Sequence, residues 1–285
     1  MKLHTKIGKN DRYELLSKLG AGGMGVVFRA RDSKLDREVA IKFIKNEDSS
    51  RTISQRFARE ARMMASLNHP NLLKIFELEL QSTPPYIVSE CLEGCDLADL
   101  VDSGHILNKE TGKRLATDLA SALTALHEKN IVHRDIKMAN IFQEKIGRFK
   151  LLDLGLARPV EETRLTGVGG MVGTLNYMPP EVLRGYDATT ASDVYQFGLV
   201  LHEALTGEQL QGLEGGNKLA PNMIDLDLWG AREPNKDLPK AFRELISQCC
   251  AKDFKKRPKD GSALLRLIDK LLPQKTTTIE PRSIQ

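Results

Sequence analysis

Eight consecutive residues, His133 to Asn140, combine side chains that suit phosphoryl transfer. The run reads His-Arg-Asp-Ile-Lys-Met-Ala-Asn. Phosphoryl transfer needs little covalent help from a protein, because positioning of the nucleophile and stabilisation of charge dominate the chemistry. Asp135 can orient a hydroxyl and accept its proton, Lys137 can balance phosphate charge, and Asn140 offers a carbonyl oxygen to Mg²⁺. The run predicts a catalytic loop if the remaining parts of such a site follow in order.

A glycine cluster near the start of the chain is a second candidate for phosphate binding. Residues 20–27 read Gly-Ala-Gly-Gly-Met-Gly-Val-Val, with strand-forming residues on both sides, and this predicts a hairpin. Glycines have no Cβ, so the backbone can approach phosphates closely. In dinucleotide-binding folds with the same glycine spacing the third glycine opens a helix, whereas a strand follows Gly25 here. A simple tight hairpin remains the alternative for this segment taken alone.

The next predicted strand carries Lys42 after the apolar residues 39–41, which read Val-Ala-Ile. The glycine cluster, this strand and the 133–140 run together resemble three sequence patterns of the catalytic domain of protein kinases. In the order of the chain, these patterns are G-x-G-x-x-G-x-V, V-A-I-K and H-R-D-L-x-x-x-N. Ile136 stands where the last pattern has leucine. Asp153, in Asp-Leu-Gly, is similar to the aspartate of the D-F-G element, with Leu154 in place of phenylalanine.

The resemblance implies a set of residues for ATP. They are Leu19, Gly20, Ala21, Gly22, Gly23, Met24, Gly25, Val27, Ala40, Lys42, Ser89, Glu90, Leu92 and Phe142. Within this set, Ser89 would guard the back of the adenine pocket, and the backbone of Glu90 and Leu92 would bind adenine. Val27, Ala40 and Phe142 would enclose the adenine ring.

The resemblance also implies catalytic and metal-binding roles. Asp135 would orient the substrate hydroxyl, with Lys137 offsetting charge, and Lys42 would hold the phosphates with Glu60 as its partner. Glu47 and Asp48 are rivals of Glu60 in sequence, but they lie in a polar segment. The metal ligands would be Asn140 and Asp153, binding Mg²⁺ or its substitute Mn²⁺.

Structural and regulatory roles follow from the same alignment. The structural residues would be His133, Arg134, Thr174, Glu181, Asp193 and Arg257, with Glu181 and Arg257 forming a buried ion pair. The resemblance implies that residues 153–181 form an activation segment and that residues 173–177 receive the peptide substrate. A phosphate on this segment could bind Arg134 and order the segment. We expect autophosphorylation at Thr166, with Thr163 as second candidate.

The serine/threonine branch of the family is favoured by Lys137 and by the Gly173-Thr174 pair. The sequence of residues 19–32 is most similar to the bacterial members of that branch. The expected function is therefore a protein serine/threonine kinase, with proteins bearing Ser or Thr as partners and a homodimer for autophosphorylation in trans. Two alternatives stay open. One is a pseudokinase or scaffold that binds ATP without transfer, and the other is a small-molecule kinase of related fold.

The periodicity of apolar residues predicts an α+β fold with two lobes. Predicted strands, interrupted by one helix over 54–67, fill the first part of the chain, and helices over 109–129, 192–205, 238–251 and 261–272 fill the rest. We expect an N-terminal extension (1–12), a sheet-rich N-lobe (13–91) of about five strands, a mostly helical C-lobe (92–272) and a polar tail (273–285). A cleft between the lobes is the expected ligand site.

Composition excludes several other classes of protein. The 42 basic and 38 acidic residues are interspersed and give a net charge of +4, which argues against a nucleic-acid surface. Four cysteines in 285 residues are too few for a disulfide scaffold and indicate reduced thiols. Neither a membrane span nor a signal peptide is evident. We expect a cytoplasmic chain with no membrane contact of its own, or the cytosolic domain of a longer, membrane-anchored protein.

Overall fold

Strand-forming residues in the first third of the chain build one antiparallel sheet. The computed structural model describes residues 3–22, 25–44, 62–63, 65–152, 175–211 and 230–273. The strands of the sheet are β1 (Lys6–Ile7), β2 (Tyr13–Gly22), β3 (Gly25–Asp32), β4 (Arg37–Ile44), β5 (Ile75–Glu79) and β6 (Tyr86–Glu90). Their order is β1-β2-β3-β4-β6-β5, so the strand with the candidate lysine, β4, is an inner strand.

The alternation of residues along β4 separates two faces of this sheet. Val39, Ile41 and Phe43 are buried and belong to the core of the N-lobe, together with residues of β2, β3 and β6. Ala40 and Lys42 are half-buried and lie on the opposite face. Since successive side chains of a strand point to opposite faces, the sheet builds its core on one side and leaves the other to the cleft.

The second part of the described chain is mostly helical, with one small sheet. That sheet contains β7 (Gly94–Asp96), β8 (Ile141–Glu144) and β9 (Phe149–Leu151), in this order. The helices are α1 (Leu97–Asp102), α2 (Lys109–His127), α3 (Pro180–Leu183), α4 (Thr190–Thr206), α5 (Lys240–Cys249) and α6 (Gly261–Leu271). Their apolar faces form a second core, separate from that of the first sheet.

Helix α4 is the central element of the C-lobe. Almost every residue of α4 is buried, including the polar Asp193 and Gln196. A capping box between Thr189 and Ser192 starts the helix, and Gly207 ends it in the left-handed conformation at φ +74°. A buried helix with polar side chains must satisfy them internally, and these side chains are the ones that reach the candidate active site.

The predicted α+β fold with two lobes is confirmed. The helices predicted over 109–129, 192–205, 238–251 and 261–272 are present, with bounds that differ by one or two residues. The helix predicted over 54–67 lies largely outside the described residues. The N-lobe sheet has six strands rather than about five, because β1 of the N-terminal extension pairs with β2. Strands β7 and β8 and helices α1 and α3 were not predicted, since each is too short to show periodicity.

Candidate active site

The loop that carries Asp135 is pinned to the buried end of α4. Asp193 Oδ2 accepts hydrogen bonds from the His133 backbone N–H at 2.7 Å and from His127 Nε2 at 2.9 Å. Asp193 Oδ1 accepts the Arg134 N–H at 2.8 Å. The His133 ring lies between Leu152, whose carbonyl it contacts through Nε2 at 2.9 Å, and the Asp135 N–H. The carboxylate of Asp193 therefore fixes the backbone on which Asp135 is mounted.

Two polar side chains of the loop converge on one carboxylate oxygen of Asp135. Asp135 Oδ2 accepts hydrogen bonds from Lys137 Nζ and Asn140 Nδ2, each at 2.9 Å. Asn140 Nδ2 also donates to the Asp135 carbonyl at 2.7 Å. Asp135 is 1% exposed, and hydrogen bonds to a charged group are strong when they are removed from water. Lys137 and Asn140, which the sequence motifs also identify as site residues, therefore hold the Asp135 carboxylate in one orientation.

The same arrangement suits an oxygen ligand for a hard cation. Both hydrogen bonds of the Asn140 side chain are donated by Nδ2, so Oδ1 remains as the atom that can bind Mg²⁺. Its expected co-ligand, Asp153, lies outside the described residues. In the part of the chain that the structure describes, no group of three or more His, Cys, Asp or Glu side chains could hold a metal ion.

The cleft face of the N-lobe sheet brings together residues expected to hold the nucleotide. Val27 is the cross-strand partner of Lys42, and Lys42 is in turn the partner of Ile87. Ala40 is the partner of Ser89 in the same register. Cross-strand partners share a face, so these side chains form two adjacent rows on the face opposite the N-lobe core. Ile87 shares this face with the residues expected to hold the nucleotide, and the sequence motifs did not identify it.

Gly25 of the glycine hairpin tolerates no side chain. Gly20, Ala21 and Gly22 lie in β2, and Gly25 opens β3 opposite Gly22. Gly25 has φ +145°, and a Cβ there would lie 1.9 Å from the Phe43 carbonyl oxygen. A Cβ at Gly20 would meet nothing within 4 Å. Gly25 is therefore required by the sheet itself, whereas the space beside Gly20 is open.

The connection between the lobes carries the residues predicted to bind adenine. The Glu90 side chain accepts hydrogen bonds from Lys150 Nζ at 2.7 Å and from the Lys74 N–H at 2.8 Å, which anchors the end of β6. Leu92 follows in the irregular segment between β6 and β7, and among the described residues its backbone makes no hydrogen bond. A backbone that is outside every strand and helix can offer its N–H and C=O to a ligand. Phe142 lies in β8 of the C-lobe sheet and is half-buried.

A buried ion pair holds the segment that precedes α4. Arg257 donates to both carboxylate oxygens of Glu181, each at 2.8 Å, and Ser192 Oγ adds a third hydrogen bond at 2.8 Å. Burial alone would raise the pKa of Glu181, but the Arg257 guanidinium outweighs it and the pKa lies below its usual range. The guanidinium also lies over the Tyr195 ring, 4.5 Å from its centroid.

Gln196 is a site residue that the motifs missed. Its Oε1 accepts the Ile136 N–H at 3.2 Å, and its Nε2 donates to the carbonyls of Tyr177 at 3.2 Å and Arg134 at 3.4 Å. One side chain of α4 therefore ties the catalytic loop to the segment around Tyr177. A polar residue inside an otherwise apolar helix is the signal that could have found it.

Several residues selected from the sequence lie outside the described part of the chain. They are Gly23, Met24, Glu60, Asp153, Thr163, Thr166 and Thr174. Their roles stay predictions. Leu19 is described and is 46% exposed in β2, directly before the glycines of the hairpin. No helix in the described ranges has the length and apolar character needed to span a bilayer.

Comparison with known proteins assigns this arrangement to a family. A family model described as the protein kinase domain matches residues 13–266. Serine/threonine-protein kinase PrkC of Bacillus subtilis is 35% identical over 250 residues, which cover 87% of this chain and 39% of the relative. A probable serine/threonine-protein kinase PknB of Lactococcus lactis is 33% identical over 264 residues, covering 91% of this chain and 42% of the relative.

A third relative, serine/threonine-protein kinase PknB of Mycobacterium leprae, is 40% identical over 206 residues. These residues cover 70% of this chain and 33% of the relative. The chain thus spans about two fifths or less of the length of these curated relatives.

Proposed function

The chain belongs to the protein kinase domain family, in its bacterial serine/threonine branch, and we propose that it transfers the γ-phosphoryl group of ATP to serine or threonine hydroxyls of proteins. The observation that carries this proposal is the Asp135 carboxylate, buried and held on one oxygen by Lys137 and Asn140. A carboxylate fixed in this way can orient a hydroxyl, and the neighbouring lysine can balance the charge of the phosphoryl group in flight.

In the proposed reaction, Asp135 orients the hydroxyl of the substrate and accepts its proton. The hydroxyl oxygen forms a bond to the γ-phosphorus as the bond from that phosphorus to the β–γ bridging oxygen breaks, and ADP leaves. Lys137 offsets negative charge on the transferring group. Lys42, with Glu60, would orient the phosphates. Asn140 and Asp153 would hold Mg²⁺, which neutralises charge on the phosphate oxygens when bound.

We propose residues 175–181 as the place where the protein substrate docks. The Gln196 side chain bridges the carbonyls of Tyr177 and Arg134, so this segment lies beside the loop that carries Asp135. Glu181, at the end of the segment, is anchored by Arg257. A substrate hydroxyl presented to Asp135 would have neighbouring peptide residues within reach of this segment.

Activation by autophosphorylation at Thr166, or secondarily at Thr163, is a further part of the proposal. Arg134 directly precedes Asp135, so a phosphate bound to its guanidinium would order the segment next to the catalytic loop. Transfer between two copies of the chain would need a transient homodimer. If replacing both threonines with alanine leaves activity unchanged, this part of the proposal is wrong.

The setting of the activity is proposed as the cytoplasm, for this chain or for a longer protein that contains it. All four cysteines are free thiols, which suits a reducing compartment.

A pseudokinase is disfavoured because the described part of the chain keeps Asp135, Lys137, Asn140 and Lys42. The small-molecule alternative is disfavoured by the docking segment next to the catalytic loop.

The first experiment compares the purified chain with Asp135→Asn and Lys42→Met, using Mg²⁺, labelled ATP and casein as a generic acceptor. The control is Lys145→Met, because Lys145 is a surface lysine paired only with exposed Glu93. We expect wild-type and Lys145→Met protein to label casein, and Asp135→Asn to lose at least about a hundredfold in kcat while still binding ATP by calorimetry. ATP binding without transfer by the wild type would instead support the pseudokinase.

A further inference from the structure

Gln211 is a buried polar residue that contacts the proposed docking segment. It lies five residues after the last residue of α4 and is 2% exposed. Its Nε2 donates to the Met178 carbonyl at 2.9 Å and lies 3.5 Å from the carbonyls of both Leu175 and Asn176. One side-chain amide therefore spans three of four consecutive carbonyls of residues 175–178.

The orientation of the Gln211 amide is set by the hydrogen bond that its oxygen atom accepts. The Tyr195 hydroxyl donates a hydrogen bond to Gln211 Oε1. Because Oε1 is the acceptor there, Nε2 with its two hydrogens must face residues 175–178. Tyr195 is fully buried in α4, and its ring lies under the Arg257 guanidinium that pairs with Glu181. The amide is thus fixed by the same buried network that anchors the far end of the docking segment.

The backbone that carries Gln211 is fixed as well. The buried His202 ring contacts the Glu208 carbonyl through Nδ1 at 2.9 Å, and Thr206 Oγ1 accepts the Glu208 N–H at 3.0 Å. Gln209, two residues before Gln211, accepts a hydrogen bond from Asn176 Nδ2 at 2.6 Å. Residues 208–211 therefore hold residues 175–178 at two points.

We infer that Gln211 is a positioning residue for protein substrates: its amide sets the conformation of residues 175–178 and thereby the affinity for the peptide next to the phosphorylated residue. This inference rests on the proposed kinase function and on the docking role of that segment. Residues 175–178 form a turn in which the Met178 N–H donates to the Leu175 carbonyl at 2.9 Å. The Gln196 and Gln211 side chains donate to the carbonyls of Tyr177 and Met178, and these bonds help to set the conformation of the turn. Loss of the amide is expected to loosen the segment without touching the ATP site.

The test separates positioning from stability by measuring KM for peptide, KM for ATP and kcat. Gln211→Met keeps the length of the side chain but removes its donors and acceptor. Gln211→Glu keeps the acceptor for Tyr195 and turns a second oxygen toward the carbonyls. Tyr195→Phe removes only the donor that orients the amide. Gln248→Met is the matched control, since the half-buried Gln248 of α5 donates its side-chain hydrogen bond to Glu244 on its own helix, away from residues 175–178.

For Gln211→Met we expect the KM for peptide to rise about fivefold to tenfold, as the loss of one or two hydrogen bonds implies. The KM for ATP and kcat should stay within about twofold. The KM for peptide should rise more in Gln211→Glu than in Gln211→Met, rise less in Tyr195→Phe, and stay unchanged in Gln248→Met. The ranking of peptides that differ at the residue after the phosphorylated one should also change in the Gln211 variants only.

An unchanged KM for peptide in Gln211→Met, with only a lower melting temperature or kcat, would overturn the inference and leave Gln211 a stabilising residue. Hydrogen exchange of the unliganded proteins gives a readout that does not depend on activity. Amides of residues 175–178 should exchange faster in Gln211→Met than in Gln248→Met, while those of residues 133–140 keep the wild-type rate. Equal exchange at 175–178 would also overturn the inference. Failure of the wild type to phosphorylate any peptide would count against the proposed function, and exchange would still decide the role of Gln211.

Discussion

The carboxylate of Asp193 holds the backbone of Arg134 in a left-handed conformation. Asp193 Oδ1 accepts the Arg134 N–H at 2.8 Å, and Arg134 has φ +69°. A side chain other than glycine carries a strain of roughly 1–2 kcal/mol in this region. Asp193 is fully buried in the central helix, so the support for this strained residue is rigid. Asp135, the proposed catalytic carboxylate, is the next residue in the chain.

Replacement of Arg134 by glycine and by alanine should reveal this strain. Both variants lose the same side-chain contacts, but only glycine adopts positive φ without cost. We expect the free energy of unfolding of Arg134→Gly to exceed that of Arg134→Ala by about 1 kcal/mol. Chemical denaturation measures the difference. Equal stability of the two variants would show that the strain is no larger than the extra entropy of glycine in the unfolded chain.

Asp193→Asn should impair transfer more than nucleotide binding. The carboxylate accepts three hydrogen bonds from His133, Arg134 and His127, and an amide has a single acceptor oxygen, so at least one donor loses its partner. The catalytic loop should shift, and we expect kcat to fall by about tenfold to a hundredfold, since small misplacements of reacting groups are costly. ATP affinity, measured by calorimetry, should change little. Asp269→Asn, on the exposed face of α6, is the control, and a similar loss there would argue against a specific role for Asp193.

Removal of one partner of the Glu181–Arg257 pair should strongly destabilise the protein. Arg257→Met leaves the Glu181 carboxylate buried without its cation, and breaking a buried pair from one side costs about 3–5 kcal/mol. Lys259→Met, at a neighbouring surface lysine, should cost little. Urea unfolding of both variants tests this expectation. Because the pKa of Glu181 is lowered in the folded state, the pair stabilises the protein above the ordinary carboxyl pKa of 4.5 and loses this effect as pH falls through the folded value.

Gly25 and Gly20 should respond differently to alanine. At Gly25 the φ of +145° and the Phe43 carbonyl, 1.9 Å from the expected Cβ, require the backbone to move. We expect Gly25→Ala to destabilise the hairpin by more than about 2 kcal/mol and to weaken ATP binding. Gly20→Ala has open space and should fold as the wild type does. Thermal melting and ATP titration of the two variants give the comparison, and equal behaviour would contradict the geometry.

His202 should make the protein less stable in mild acid. Burial lowers the pKa of His202 from 6.5, and the nearby Glu208 does not compensate. Its Nε2 accepts the Asn235 N–H at 3.1 Å, so protonation would also break that hydrogen bond. In the unfolded chain His202 binds a proton near pH 6.5 and in the folded chain it does not, so stability falls as pH drops below this value.

The His202→Gln variant should lose this part of the pH dependence. We expect the free energy of unfolding of the wild type to decline more steeply between pH 7 and 5 than that of His202→Gln. The difference in slope is limited to about 1.4 kcal/mol per pH unit for one proton. Half-buried Glu203, whose pKa is raised by partial burial, changes stability in the opposite direction, but it is present in both proteins. Parallel slopes would mean that His202 is already protonated in the folded state or exchanges protons equally in both states.

Much of the fold could be predicted because its long helices and strands depend on local patterns. Helix α2 shows a regular apolar stripe, and α4 ends at Gly207, the residue type that most often ends a helix. The short elements β1, β7 and α3 were missed, since two to four residues carry no periodicity and form only by pairing or packing with distant parts of the chain. Gln196 and Gln211 were missed for a related reason. The polar position of Gln196 inside an apolar helix marks it as a candidate, but the role of either glutamine follows from which backbone groups lie opposite it.

The sequence by itself determined the family, the order of the elements and the residue types available for phosphoryl transfer, because these depend on spacing along the chain. The tertiary structure alone decided which of them meet. Asp193 reaches the backbone of His133 and Arg134 across about 60 residues, and Arg257 reaches Glu181 across 76. Contacts over such distances form only when the helices pack around a common core, since the entropy of closing long loops must be offset by burial of apolar surface.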